Sequence, residues 1–243
     1  MRLLVTRPEP EATRTAERLR ALGHEPVLAP LLDTVFLDPS PPGTRPAAIL
    51  LTSGNGLRGL LRWEDATRWL DIAVLAVGER TADMARSAGF RDVRSADGDG
   101  DALASLVIAT LDPGAGALLY PAAVDRAGHW PDRLLAAGFR LEIVEIYRMD
   151  PVSALPDSVI LDLDQERIEG ALVYSPRTAK TLSQLVGGLV PQPPVAGLPI
   201  YALSENVASA LTFGRIFIAA EPTEDALLAQ IPQSMGTSPS GVR

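Results

Sequence analysis

Two stretches of this chain carry hydroxyl groups where hydroxyls can do chemistry. Ala48-Ile49-Leu50-Leu51-Thr52-Ser53-Gly54-Asn55 and Ala171-Leu172-Val173-Tyr174-Ser175-Pro176-Arg177-Thr178 each run an apolar strand into a serine and then into a helical stretch. A strand that ends at a helix start sets its last side chain beside free backbone N–H groups and the positive end of the helix dipole. That setting favours an anionic or polar ligand. Ser53 and Ser175 also fit the plainer role of helix caps, and it is their occurrence twice that points to a site. Tyr147 closes the β-rich run Ile143-Val144-Glu145-Ile146-Tyr147-Arg148 just before Met149-Asp150-Pro151. There a phenol either packs or acts as a weak acid.

Other candidates are weaker. Gly54-Asn55-Gly56-Leu57-Arg58-Gly59 spells a dinucleotide fingerprint after a strand, with Glu79 where a ribose-binding acid would stand. Its duplicate at Ser175-Pro176-Arg177-Thr178-Ala179 has no glycine, however, and Glu79 has its own counterpart in Glu205. A dinucleotide-dependent enzyme therefore stays a minor alternative. Asp97-Gly98-Asp99-Gly100-Asp101 opens like a calcium loop, but Ala102 and Ile108 fall where its glycine and glutamate belong, so a solvated turn with Asp101 as helix cap is expected. His24 and His129 each follow a glycine and read as surface-loop residues, while Trp63, Trp69 and Trp130 read as core. With two histidines and no cysteine, an N/S metal site is excluded, and disulfides with it.

The elements that must hold these groups alternate in type. A strand at 1–5 leads to a helix with Ala12, Ala16, Leu19 and Leu22 at helical spacing, stopped by Gly23. A strand follows from 25 to 32 and is extended over 34–37 before the proline-rich Pro39-Ser40-Pro41-Pro42-Gly43. After the first serine turn come a helix from 56 to 61 or further, a strand at 72–77, a helix at 81–88, a short strand at 91–94 and a helix at 102–111. The order then restarts with a strand at 117–120, a loop from Pro121, a helix at 130–136 and a strand at 141–147. Leu75-Ala76-Val77-Gly78-Glu79-Arg80-Thr81-Ala82 pairs with Tyr201-Ala202-Leu203-Ser204-Glu205-Asn206-Val207-Ala208 at nearly the same offset as the two serine turns. A half-chain has been duplicated, which predicts two similar α/β domains with parallel sheets flanked by helices. Residues 232–243, rich in Ser, Gly and Pro, are expected to form a disordered tail.

The chain has 243 residues, 47% of them hydrophobic, and a net charge of −8. That charge repels nucleic-acid phosphate. No apolar run nears the ~20 residues of a membrane helix, and no apolar leader opens the chain, so the cytoplasm is expected.

In this order, Val5-Thr6-Arg7-Pro8, Leu19 with Gly23, Pro30-Leu31-Leu32, Leu51-Thr52-Ser53, Ala76-Val77-Gly78 with Thr81-Ala82, Tyr147-Arg148 and Tyr174-Ser175-Pro176 resemble the uroporphyrinogen-III synthase family. The resemblance implies a discontinuous first domain of residues 1–35 plus 151–231 and a second domain of 38–144. Linkers at 36–37 and 145–150 would form a two-stranded ladder, and the two serine turns would face a common cleft. It also implies a cofactor-free monomer that closes hydroxymethylbilane, a linear tetrapyrrole with many carboxylates, into uroporphyrinogen III with the last ring inverted and water lost. Such chemistry is chiefly positioning. By the same resemblance Tyr147 is the general acid, and Thr52, Ser53, Thr81, Tyr174 and Ser175 are substrate-binding hydroxyls. Arg7 either reaches a substrate carboxylate or pairs with a neighbouring acid. The chain departs from the family at Leu203-Ser204-Glu205-Asn206-Val207-Ala208, where Ser204 replaces a glycine and Val207 a hydroxyl; Ser204 or Asn206 can substitute as donor. That departure keeps a second alternative open, a non-catalytic relative that binds a tetrapyrrole or another polyanion.

Overall fold

The computed structural model describes residues 1–126 and 128–232. From residue 233 onward the expected tail lies outside the described residues. In chain order the elements are β1 (Arg2–Val5), α1 (Glu11–Ala21), β2 (Glu25–Leu28), β3 (Leu32–Phe36), β4 (Ala48–Leu51) and α2 (Gly54–Leu60). A 3-10 helix, Glu64–Trp69, precedes β5 (Ala73–Ala76), α3 (Glu79–Ser87), β6 (Val93–Ser95) and α4 (Gly100–Thr110). After a short 3-10 turn come β7 (Ala117–Ala123), α5 (Trp130–Ala136), β8 (Arg140–Pro151), α6 (Asp157–Asp164) and β9 (Gly170–Val173). The chain ends its described part with α7 (Pro176–Gly187), β10 (Pro199–Ala202), α8 (Glu205–Ala208), β11 (Arg215–Ile218) and α9 (Glu224–Leu228).

The chain divides into two compact units, one made of Met1–Asp33 with the chain from Asp150 on, the other of Thr34–Met149. The first holds a five-stranded sheet in the order β11-β10-β9-β1-β2, paired in parallel throughout. The second is built on a six-stranded sheet in the order β3-β8-β7-β4-β5-β6, parallel from β8 to β6. The chain passes between units within β3 and within β8, which are neighbours in that sheet.

Both sheets are mostly parallel and flanked by helices, so their strands are buried on both faces and read as near-continuous apolar runs. Alternation along each strand splits the core into layers. In the five-stranded unit Leu3, Val5, Leu172 and Tyr201 pack on one face, and Leu4, Ala171, Val173 and Ile200 on the other. In the six-stranded unit Ile49, Leu51, Val74 and Ala76 face α2 and α3, while Ala48, Leu50, Leu75 and Leu118 share the opposite layer with Trp130. All three tryptophans are buried, as expected.

Several expectations are corrected. Strand β7 runs through Pro121, where a loop was expected. Its pairing with β4 stops at Leu119 while its pairing with β8 continues to Ala123, so beyond Leu119 a residue without an N–H meets no demand from the β4 side. The first helix after the serine turn ends at Leu60 and gives way to the 3-10 segment. Asp99, not Asp101, caps α4, accepting the Ala102 N–H at 3.0 Å. His24 is not a surface residue: Gly23 adopts φ +79°, the His24 N–H bonds the Leu19 carbonyl at 2.9 Å, and this tight closure of α1 leaves the imidazole only 6% exposed. Helix α6 was not foreseen at all. Among the described residues no helix is long and apolar enough to cross a membrane.

Candidate functional site

At the end of β4 the backbone stays extended through Ser53 (φ −157°, ψ 158°) and turns into α2. The Ser53 hydroxyl oxygen accepts the Gly56 N–H at 3.2 Å, an ordinary cap. Its neighbours are less ordinary. The Tyr147 hydroxyl, from β8, lies 2.9 Å from Ser53 Oγ, and the Tyr120 hydroxyl, from β7, lies 3.1 Å from Thr52 Oγ1. Two phenols, one from the neighbouring β7 and one from β8 beyond it, thus converge on two consecutive hydroxyls at the carboxyl end of β4. It is outside the carboxyl ends of strands that open α/β sheets bind ligands. Thr52, Ser53, Tyr120, Tyr147, Asp125 and Trp130 are among the residues that line a cavity of about 440 Å3 there.

Burial pushes the Tyr147 phenol above the ordinary tyrosine value; the Ser53 hydrogen bond offsets part of this, and Tyr120 adds a further upward push. The phenol therefore keeps its proton at neutral pH. Ser53 accepts from Gly56, so its own proton is free to point at the Tyr147 oxygen. In that arrangement the phenol proton is available to a ligand, and the phenolate left behind accepts the Ser53 hydrogen bond.

The glycines of the apparent dinucleotide fingerprint have a packing explanation. A Cβ on Gly56 would lie 2.6 Å from the Pro121 carbonyl oxygen, and one on Gly59 would meet Ile146 at 2.8 Å. Gly54 would press on Met84, also at 2.8 Å. They let α2 lie close against β7, β8 and α3. The supposed ribose acid, Glu79, is bonded to Arg86 at 2.5 Å on the surface.

The second serine turn is built alike and furnished differently. Ser175 caps α7, accepting the Thr178 N–H at 3.1 Å, and shares a hydrogen bond with Thr178 Oγ1 at 2.8 Å. Tyr174 donates to Glu224 Oε1 at 3.1 Å, and the Arg7 guanidinium sits over the Tyr174 ring, 4.1 Å from its centroid. Glu224 also takes Arg7 at 3.0 Å, Thr15 at 2.5 Å and Arg18 at 2.7 Å. Of the two roles open to Arg7, the ion pair with a neighbouring acid is the one found. Burial pushes the Tyr174 phenol far up, and the Thr15 hydroxyl and Arg7 offset this only in part. For Glu224, burial pushes upward, but the bonds from Thr15 and Arg18 and the charge of Arg7 outweigh it, and the carboxyl is held below its usual range.

Thr52, Ser53 and Tyr147 are thus brought together in the six-stranded unit. Thr81, half-buried in the first turn of α3, belongs to the same unit but is not among the cavity-lining residues. Arg7, Tyr174, Ser175 and Ser204 belong to the other unit, and Ser204 caps α8 through the Val207 N–H at 3.4 Å. Sequence reasoning missed Tyr120 and Glu224. The signal for Tyr120 was a hydroxyl-bearing residue directly after the apolar run Ala117-Leu118-Leu119, as Thr52 directly follows the apolar run of β4.

The family model described as Uroporphyrinogen-III synthase HemD matches residues 13–229. Among solved structures, the uroporphyrinogen-III synthetase of Helicobacter pylori is similar with a TM-score of 0.62 and 16% identity, over 95% of this chain and 98% of that one. A mutant uroporphyrinogen III synthase from the extremely thermophilic bacterium Thermus thermophilus gives a TM-score of 0.51 and 18% identity, over 95% of this chain and 96% of that one. At such identities the likeness is one of fold. A comparison with curated protein sequences finds no match.

Proposed function

The chain belongs to the uroporphyrinogen-III synthase family, and we propose that it closes hydroxymethylbilane into uroporphyrinogen III with inversion of the last ring and loss of water. The observation that carries this reading is the line from the Gly56 N–H through Ser53 to Tyr147 at the cavity wall. Substrate and product differ by one water, so the reaction needs no electron donor or acceptor. It needs a proton for the departing hydroxyl and a fixed geometry for ring closure.

In the proposed course, the carbon–oxygen bond of the hydroxymethyl group breaks with its electron pair going to oxygen. Tyr147 gives that oxygen its proton, and water leaves. The substrate ring is then positive, and the phenolate is stabilised by Ser53. The substituted α-carbon of the last ring attacks the freed methylene carbon. The bond from that α-carbon to the bridging methylene of the preceding ring then breaks, its electron pair restoring the last ring and leaving the bridging methylene electrophilic. The other, unsubstituted α-carbon of the last ring closes on that methylene, so that the ring is inverted. The proton lost from carbon as the pyrrole is restored returns to the phenolate. Thr52 and Ser53 contact the substrate in the six-stranded unit. Thr81 offers its hydroxyl to an outer carboxylate there. In the five-stranded unit Ser175 and Ser204 are the candidate ligand hydroxyls, with Tyr174 and Arg7 secondary because Glu224 holds both.

Fresh hydroxymethylbilane incubated with the purified protein should yield uroporphyrinogen III in proportion to protein added. If only the unrotated isomer forms at every protein concentration, the synthase reading fails, and a tetrapyrrole-binding relative without catalysis remains. Burial of Val207, to 2% exposure, where the family commonly has a hydroxyl, is what keeps that second reading in view.

A further inference from the structure

We propose that Tyr120 is a further substrate contact, which together with Thr52 receives a pyrrole N–H in the cavity of the six-stranded unit, with the substrate's carboxylate arms turned away from it. This rests on the reading above only in taking the ligand to be a pyrrole chain.

The phenol is held firmly. Tyr120 is 4% exposed, and its ring meets Trp130 edge-to-face at 4.9 Å and 62°. Trp130 in turn is so close to the start of α4 that a Cβ on Gly100 would come within 2.3 Å of it. With the ring buried and packed edge-to-face on a tryptophan that is itself hemmed in, the phenol oxygen has little freedom, and its bond to Thr52 orients that hydroxyl as well. One hydrogen bond shared by two hydroxyls leaves a single free O–H and three lone pairs. The pair is richer in acceptors than in donors. That suits an incoming N–H better than an incoming carboxylate.

Charge around the cavity points the same way. Asp99, Asp101 and Asp125 line it with Arg126, whose guanidinium is bonded to Glu145 at 2.8 Å. Asp101 is paired with Arg133 at 3.1 Å. The balance at the wall is negative, so a carboxylate entering there meets like charge, whereas a pyrrole N–H does not. The positive charge that a ring takes up as its hydroxyl leaves is favoured by the same wall, beside Tyr147. At about 440 Å3 the cavity lies toward the small end of the ~300–1,000 Å3 span of ligand sites. It receives part of a four-ring chain, leaving the arms outside.

Two measurements test this. In steady-state kinetics, Tyr120→Phe, which keeps the ring and its stack, should raise KM about fivefold to tenfold with kcat within about twofold. Thr52→Val should do the same, and the double variant should add little to either, as expected of a pair. Asp125→Asn should lower kcat several-fold without lowering KM. An unchanged KM in Tyr120→Phe, or a lower KM in Asp125→Asn, would overturn the proposal, since the latter is what a docked carboxylate arm produces. The second measurement does not need catalysis. Porphobilinogen, a monopyrrole, titrated against tryptophan fluorescence should give a saturable change that weakens in Tyr120→Phe. Glutarate, a dicarboxylate without a pyrrole, should give none. An equal response to glutarate, or an unweakened response in Tyr120→Phe, overturns the proposal even if the protein makes only the unrotated isomer, an outcome that by itself sinks the synthase reading alone.

Discussion

The two serine turns share a backbone and differ in what surrounds them. Ser53 and Ser175 have the same extended conformation, cap their helices through the third residue onward, and follow strands buried end to end. Around Ser53 the hydroxyls are hydrogen-bonded to phenols at the wall of a cavity. Around Ser175 the phenol is spent on Glu224, which also gathers Arg7, Thr15 and Arg18, and the serine turns back on Thr178. A duplicated turn supplies a position for chemistry. Its neighbours decide whether the polar groups there are available to a ligand or committed to holding the fold.

The sharpest way to break this contrast is at Tyr147. Tyr147→Phe should lower kcat for isomer III about 100-fold or more, as loss of a general acid does, with the unrotated isomer taking its place in chromatography of the products. Full activity in that variant would remove the phenol's role. The matching change in the other unit is Glu224→Gln, which should act on stability instead, lowering it by about 1–3 kcal/mol in urea unfolding. Because the folded pKa of Glu224 is depressed, its contribution is present above the unfolded glutamate value and is lost as pH falls through the folded one. The gap between parent and Glu224→Gln should therefore close in acid. Gly56→Ala, which drives a methyl group into the Pro121 carbonyl, should cost about 1–3 kcal/mol. Gly78→Ala, with nothing near its Cβ, should cost far less, so the glycine pattern is one of packing. The smallest effects compare the caps directly. Ser53→Ala and Ser175→Ala should each lose about 1 kcal/mol of stability. Only Ser53→Ala should also lower kcat, by about tenfold, whereas Ser175→Ala should leave kcat unchanged.

What could be read from the sequence follows from how local each feature is. Apolar strand runs, glycine stops and the repeated strand-to-serine turn are local; they drew attention to Thr52 and Ser53 and predicted the paired parallel sheets, whereas Tyr147 took its role from the family resemblance. The Tyr120–Thr52 contact depends on β7 lying beside β4, which is strand order rather than sequence pattern. Glu224 sits in a short helix near the end of the described chain, and its partners Arg7, Thr15, Arg18 and Tyr174 are distant in sequence, so only the folded unit brings them together. Helix α6 was hidden by acidic residues. One of them, Asp162, is buried because Arg2 and Arg167 reach it from β1 and from the loop after α6.

The central claim is that a buried phenol, backed by Ser53, protonates the leaving hydroxyl. The pH dependence of single-turnover isomer III formation tests it most directly. Ser53 lowers the Tyr147 pKa while burial raises it more. The basic limb should therefore lie above the ordinary tyrosine value of about 10, move higher in Ser53→Ala, stay in place in Ser175→Ala, and vanish with most of the rate in Tyr147→Phe. A limb that persists unmoved in both Tyr147→Phe and Ser53→Ala would contradict the account.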